Sequence, residues 1–263
     1  MQVSAVTPLL KCRGVTKRFG ALAAVDGVDL DVSPGETIGI GGPNGAGKTT
    51  LFDVISGLQA PTAGTVELSG HSLAGLSADR ILHRGMARSF QLNSGFDGLS
   101  VFDNVLAAVA FGRQSTSGFF LSSRKDRERA WSMLERLKLQ DFANDIVENV
   151  PVLVRKKLMI ATALVNEPQI LLLDEPVGGL TPSETDEFID LIDGLKTGGL
   201  TMIFVEHVMR FLTALADRAL IMHQGRIIFD GPPSQIGNDP IVRSVYLGSA
   251  VIEPAASGGG AHP

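Results

Sequence analysis

In VDLDV, Val28, Leu30 and Val32 alternate with Asp29 and Asp31. That period of two predicts a strand with one buried and one solvated face, and GTVELSG (64–70) reads the same way. A different pattern appears in TIGI (37–40), ILLL (170–173), TMIFV (201–205) and RALIM (218–222), short apolar runs bounded by turns or charges. Runs of this kind suit strands buried on both faces of a mixed or parallel sheet. Helical segments separate them. One has a legible start, with Thr181, Pro182 and Glu184 at the N-cap, N1 and N3 positions of a capping box. Phe188, Leu191, Ile192 and Leu195 then mark its buried stripe. From about 94 to 164 no convincing strand is found, and Trp131, Leu134 and Leu137 form a helical stripe expected in a core. The pattern predicts an α/β core with a helical insertion and no internal repeat.

Composition narrows the class. The chain has 263 residues, 44% of them hydrophobic and 19% charged, enough for one large domain or two small lobes. A net charge of −5 and a pI near 5.5 argue against a general nucleic-acid binder. The cluster RKDRER (124–129) is mixed in sign and suits a solvated helix face. Cys12 is the single cysteine, which excludes an internal disulfide and a thiolate metal cluster and fits a reducing cytoplasm. No apolar run approaches the length of a membrane span, and the first residues lack the pattern of a signal peptide. Membrane association is therefore expected through a partner. The end AVIEPAASGGGAHP, from about 249 to 263, reads as a flexible tail.

The chemistry is concentrated in two places. GPNGAGKT, comprising Gly42, Pro43, Asn44, Gly45, Ala46, Gly47, Lys48 and Thr49, fits G-x-x-x-x-G-K-[ST] between a strand and a helix beginning near Lys48. Its glycines let successive backbone N–H groups converge on phosphate oxygens, aided by the helix N-terminus. Lys48 is placed to reach the β and γ phosphates, the Thr49 hydroxyl to bind Mg²⁺, and Thr50 to reach an α-phosphate oxygen. ILLLDEP ends a buried strand with Asp174 and Glu175, two carboxylates whose repulsion calls for a positive charge such as magnesium. Asp174 suits the metal, and Glu175 suits orientation and deprotonation of an attacking water. Taken alone, the pair could also be a strand end with solvated acids.

With these motifs in order, the chain resembles the ATPase subunits of ABC transporters over about residues 9 to 248. The resemblance implies a P-loop NTPase (RecA-like) core with an N-terminal antiparallel β-subdomain and an inserted helical subdomain, using ATP and Mg²⁺. It also assigns roles. Phe19 in TKRFG lies where the family stacks an aromatic on adenine. Gln91 in RSFQ lies where a glutamine approaches Mg²⁺ and the attacking water. His207 in FVEHV matches the histidine that contacts the γ-phosphate. GGLTPSE matches the loop facing the other subunit, with Thr181 where many relatives have Asp or Asn. Within the family, RSFQLNSGFDGLSVFDNV and GNDPIVRSVYLGS are most similar to the ATPases of branched-chain amino acid importers. Such subunits work in pairs at the cytoplasmic face of the membrane, beneath two permease subunits and an extracytoplasmic solute-binding protein.

One segment departs from the family. Aligning IATAL with the family's I-A-R-A-L puts Val150, Pro151, Val152, Leu153 and Val154 over the signature, L-P-Y-G-Q in this class, and Thr162 over the arginine. Leu153 replaces the glycine that permits backbone approach to phosphate, and Val154 replaces a hydrogen-bonding glutamine. Losing two charge-assisted bonds would raise the barrier by roughly 3 to 6 kcal/mol, about 10² to 10⁴ in rate. Catalytically, VPVLV reads better as the buried start of a helix. Because each ATP lies between one subunit's phosphate loop and the other's signature, the expected unit is a heterodimer whose second ATPase subunit has an intact signature. Three other readings stay open: a nucleotide-gated, weakly hydrolytic subunit, a lipopolysaccharide-exporter ATPase, and a soluble ABC ATPase acting on DNA or ribosomes. The acidic balance and the lack of a basic arm count against the last.

Overall fold

The computed structural model describes residues 7–89, 96–112 and 122–249. The chain opens with β1 (Leu10–Phe19) and β2 (Leu22–Val32), followed by β3 (Thr37–Gly41) and α1 (Lys48–Ile55). Then come β4 (Ala63–Leu68), β5 (His71–Ser72), α2 (Ala78–His83) and β6 (Met86–Ser89). Three helices follow, α3 (Val101–Phe111), α4 (Arg124–Arg136) and α5 (Val152–Leu164). The last third alternates β7 (Ile170–Asp174), α6 (Pro182–Thr197), β8 (Thr201–Val205), α7 (Met209–Leu215), β9 (Arg218–His223), β10 (Arg226–Gly231) and α8 (Pro240–Ser249).

Two sheets result. The antiparallel one has the order β2-β1-β4-β5, and the alternation in VDLDV is realised: Val28, Leu30 and Val32 are buried, Asp29 and Asp31 exposed. The other has the order β10-β9-β3-β8-β7-β6, in which only β10 runs antiparallel to its neighbour. Every residue of β3, β7 and β8 is buried, because both faces are covered. Ile38, Ile40, Leu172 and Ile203 pack with α1 and the antiparallel sheet, while Leu171, Leu173, Met202 and Phe204 pack with the helices opposite. On that second face Gly39 lets α7 approach closely: a Cβ there would lie 2.9 Å from Leu212 Cγ. This is the P-loop NTPase architecture expected from the sequence.

Between β6 and β7 the described chain forms α3, α4 and α5, with two short 3₁₀ turns between α4 and α5 and one isolated bridge between Ser100 and Ile146. The expectation of Trp131 in the core is corrected: the residue is 43% exposed. A step of three residues falls about 60° short of a helical turn, so Trp131, Leu134 and Leu137 cannot all face one way. The buried set is Ala130, Met133, Leu134 and Leu137, the true i, i+3, i+4, i+7 stripe. Trp131 lies beside it, tilted against Phe102 with centroids 6.2 Å apart, and its indole N–H donates to Glu135 Oε1 at 2.8 Å. On α6 the predicted capping box is present in both directions, and Phe188, Ile192 and Leu195 are buried with Leu191 partly so.

Candidate nucleotide site

The site collects at the carboxyl ends of three adjacent parallel strands. Ile40 of β3 and Asp174 of β7 both pair with Val205 of β8, so Gly41, Asp174 and Glu206 leave the sheet at one level. Loops beyond such strand ends are free to hold a ligand, since the sheet fixes their roots.

From β3 the chain turns through Gly42 at φ 140° and Gly47 at φ 102° into α1. Both glycines are required by space as well as by torsion. A Cβ on Gly42 would lie 2.3 Å from Met222 O, and one on Gly47 2.1 Å from Ala24 O. The loop is therefore clamped between β9 and β2, and Gly225 N–H donates to Ala46 O at 2.9 Å from the β9–β10 turn. Gly47 caps α1 without a side-chain bond, leaving the first-turn N–H groups directed at the cleft. Lys48 is 7% exposed, and its Nζ donates to Gly42 O at 2.8 Å and Pro43 O at 3.0 Å. Burial pushes its pKa down, and the carboxylates of Glu175, Asp174 and Glu206 oppose that shift. A cleft of about 660 Å³ opens above the loop, bounded by Phe19, Asn44, Lys48, Thr49, Thr50, Glu175 and Gly225 among others. Phe19, at the end of β1, is 49% exposed there, with Lys17 Nζ 5.3 Å from its ring centre.

Asp174 is 4% exposed. Its Oδ2 accepts from Arg88 at 2.7 Å, and Arg88 also donates to Asp53 at 2.8 Å and to Ser56 at 2.9 Å. Asp174 Oδ1 is buried without a hydrogen-bond partner. Among the described residues no three His, Cys, Asp or Glu side chains converge to cage an ion. One free carboxylate oxygen and the Thr49 hydroxyl fit Mg²⁺, which keeps waters and takes phosphate oxygens rather than an all-protein cage. Glu175 adopts φ 46°, a left-handed conformation uncommon for a side-chain-bearing residue. Its N–H donates to Val205 O at 2.9 Å. Its carbonyl accepts from Gly178 N–H at 3.3 Å and from Lys156 Nζ at 3.1 Å.

His207 stands apart from the cleft walls, with its side chain 58% exposed and Nδ1 3.6 Å from Glu206 Oε2. Glu206 is fully buried, accepts the His207 N–H at 3.0 Å and has an unpartnered Oε1. Gln91 lies outside the described residues. Val150 to Val154 form the entry to α5: Pro151 is its N-cap without a side-chain bond, and Val150, Leu153 and Val154 are buried in the helical core. Arg155 folds back over this entry, donating to Val150 O at 3.3 Å and to Glu148 O. The structure thus brings Phe19, the phosphate loop and Glu175 to one cleft, which none of Val150–Val154 lines.

Arg88, Lys156 and Glu206 were not identified from sequence. Arg88 sits in the short strand MARS, which has no apolar pattern, and Lys156 reads as one of two ordinary helix lysines.

Comparison with known proteins agrees with this geometry. A family model described as "ABC transporter" matches residues 25–178, and one described as "Branched-chain amino acid ATP-binding cassette transporter" matches residues 226–252. The chain is 37% identical over 252 residues to the high-affinity branched-chain amino acid transport ATP-binding protein LivG of Escherichia coli (strain K12), covering 92% of this chain and 99% of LivG. It is 36% identical over 252 residues to BraF of Pseudomonas aeruginosa, a protein of the same description, with the same coverage. Among solved structures, the ADP conformation of MJ1267, an ATP-binding cassette of an ABC transporter, superposes with a TM-score of 0.84 at 27% identity, covering 92% of this chain and 99% of that one. A family match over more than half of the chain, with relatives above 30% identity along nearly all of it, makes this protein a member of the ABC transporter family, an ATP-binding subunit of its ATPase type.

Proposed function

We propose that this chain powers an importer of branched-chain amino acids or related small solutes, as one half of an unequal ATPase pair. The observation that carries the reading is a contrast within one molecule. The phosphate loop and Glu175 share one cleft, whereas the Val150–Val154 segment has no glycine, and Leu153 and Val154 turn into the core. The ATPase unit spans residues 9–248. It sits at the cytoplasmic face of the membrane through permease subunits, which receive solute from an extracytoplasmic binding protein. Among the described residues no helix is long and apolar enough to cross a membrane.

In this reading Phe19 offers a stacking face to adenine, and the α1 N-terminus and Lys48 bind the phosphates. Lys48 gives up two neutral carbonyl partners for charged oxygens, a stronger pairing. Thr49 and Asp174, with Gln91, would hold magnesium, which would supply positive charge to the phosphate oxygens when bound. Glu175 orients the attacking water and accepts its proton, and His207 reaches the γ-phosphate when the pair closes. Arg88 holds the second oxygen of Asp174 and so fixes which one is offered to the metal. The neighbouring subunit completes this site with an intact signature, while the site built on Val150–Val154 contributes little turnover.

The test is to purify the tagged chain from its own membranes with the subunits that accompany it. A second ATPase subunit with an intact signature and permease subunits are expected. Glu175→Gln in this chain should lower ATP turnover by about 10²-fold or more, the scale of a lost general base. Ordinary transporter turnover by a homodimer of this chain would refute the unequal pair. A small effect of Glu175→Gln would favour a nucleotide-gated, weakly hydrolytic subunit.

A further inference from the structure

Among the described residues, Lys156 is a buried cation whose hydrogen bonding is spent on a single backbone atom. It is 4% exposed, and its Nζ donates to Glu175 O at 3.1 Å. Its neighbour on α5, Lys157, behaves conventionally, pairing with Glu187 of α6 at 2.5 Å. Lys156 instead meets the backbone just past the end of β7, at the residue that follows Asp174. Burial disfavours its charge there, and the carboxylates of Glu206, Glu175 and Asp174 oppose the effect. A buried lysine is costly unless its ammonium is used, and the group it meets is the carbonyl of the residue with the left-handed backbone.

We infer that Lys156 is a positioning residue for Glu175, tying the backbone of the proposed catalytic base to the helix that begins at Val150–Val154. This rests on the assignment of Glu175 as the base. The geometry gives it a task. On one side the Glu175 peptide is fixed to β8 through Val205 O at 2.9 Å. On the other, the carbonyl is held by a 3.3 Å turn bond from Gly178 and by Lys156. A residue at φ 46° persists only when its surroundings hold it, and the direction of its side chain follows its backbone. Without Lys156 the carbonyl is left with the long turn bond, and the carboxylate loses a fixed position relative to the phosphate loop. Because Lys156 is two residues beyond Val154, a shift of α5 is carried directly into the base of the other nucleotide site.

The purified transporter complex carrying Lys156→Met, Lys156→Arg, Glu175→Gln or the double change Lys156→Met with Glu175→Gln tests this. Lys156→Met keeps length and removes the donor, so kcat should fall about 10- to 100-fold, the worth of a charged hydrogen bond, with KM for ATP nearly unchanged. Lys156→Arg should restore most of the loss. In the double variant Lys156→Met should add no further loss, as expected of groups acting as one unit. Loss in Glu175→Gln with unchanged kcat in Lys156→Met would overturn the Lys156 role alone, as would Lys156→Arg matching Lys156→Met or an additive double variant. Turnover retained by Glu175→Gln would overturn the base assignment and the Lys156 role with it. If Lys156→Met does not assemble, Lys156→Leu, which also lacks a donor, is read by the same criteria.

Discussion

Glu206 shows how much one buried group can report. Burial raises its carboxyl above the ordinary 4.5, the His207 N–H and the charges of His207 and Lys156 work against that, and Glu175 adds to it. Folded chains then keep a proton that unfolded chains release, so this contribution to stability is full below the ordinary carboxylate range and is lost as pH rises through the raised folded value. Glu206→Gln should therefore gain stability relative to wild type as pH climbs above 4.5. Urea unfolding at a series of pH values checks this, and a constant offset at every pH would contradict it. Arg88 is the opposite case, a buried cation with anionic partners on two elements. Its side chain is 7% exposed beside Asp174 at 4% and Asp53 at 21%. Arg88→Met should cost about 3 to 5 kcal/mol, because it leaves a buried carboxylate uncompensated. Urea denaturation of the variant measures that loss, and restoration by Lys at the same position should be incomplete, since one ammonium cannot span both partners.

Helix ends separate at the element scale into those settled locally and those settled by packing. The start of α6 is local: Thr181 accepts from Glu184 N–H at 3.3 Å, and Glu184 Oε2 accepts the Thr181 N–H at 2.8 Å. Thr181→Ala should cost about 1 kcal/mol, seen as a lowered urea midpoint with an unchanged slope. Local contacts of this kind lie within four residues, so they were legible in TPSE. The start of α5 has no side-chain cap, and Leu153 and Val154 hold it through the core. Leu153→Gly should therefore destabilise by about 3 to 5 kcal/mol, combining a cavity with the helix cost of glycine. Thermal unfolding would show it. Trp131 marks where pattern reading failed: apolar residues three apart looked like one face, and only the packing of α4 on α3 and α5 decided which residue left it.

At the scale of the whole molecule, function depends on which elements the fold brings to one level. TIGI, ILLLDEP and TMIFVEH are scattered across the chain, yet the register of β3, β8 and β7 aligns their ends. An unequal pair predicts unequal consequences: in the purified complex, Glu175→Gln here should reduce turnover far more than removal of the partner's corresponding carboxylate, and equal losses would count against the asymmetry. The apolar runs, the phosphate loop and the acidic pair were readable because each is specified by consecutive residues whose period or steric demand is local. β6 was not, since MARS is an edge strand with few apolar residues and gains its burial from β7 and the layers around it. The sequence by itself determined the four apolar strands β3, β7, β8 and β9 of the central sheet, the glycines that permit the loop and the absence of a glycine at Val150–Val154. Only the tertiary structure decided that Arg88 serves Asp174, that Lys156 reaches the carbonyl of Glu175 and that Glu206 is sealed from water. The first two relations join residues 86 and 19 positions apart. Distances of that kind are set by sheet order and helix packing, and no local pattern encodes them.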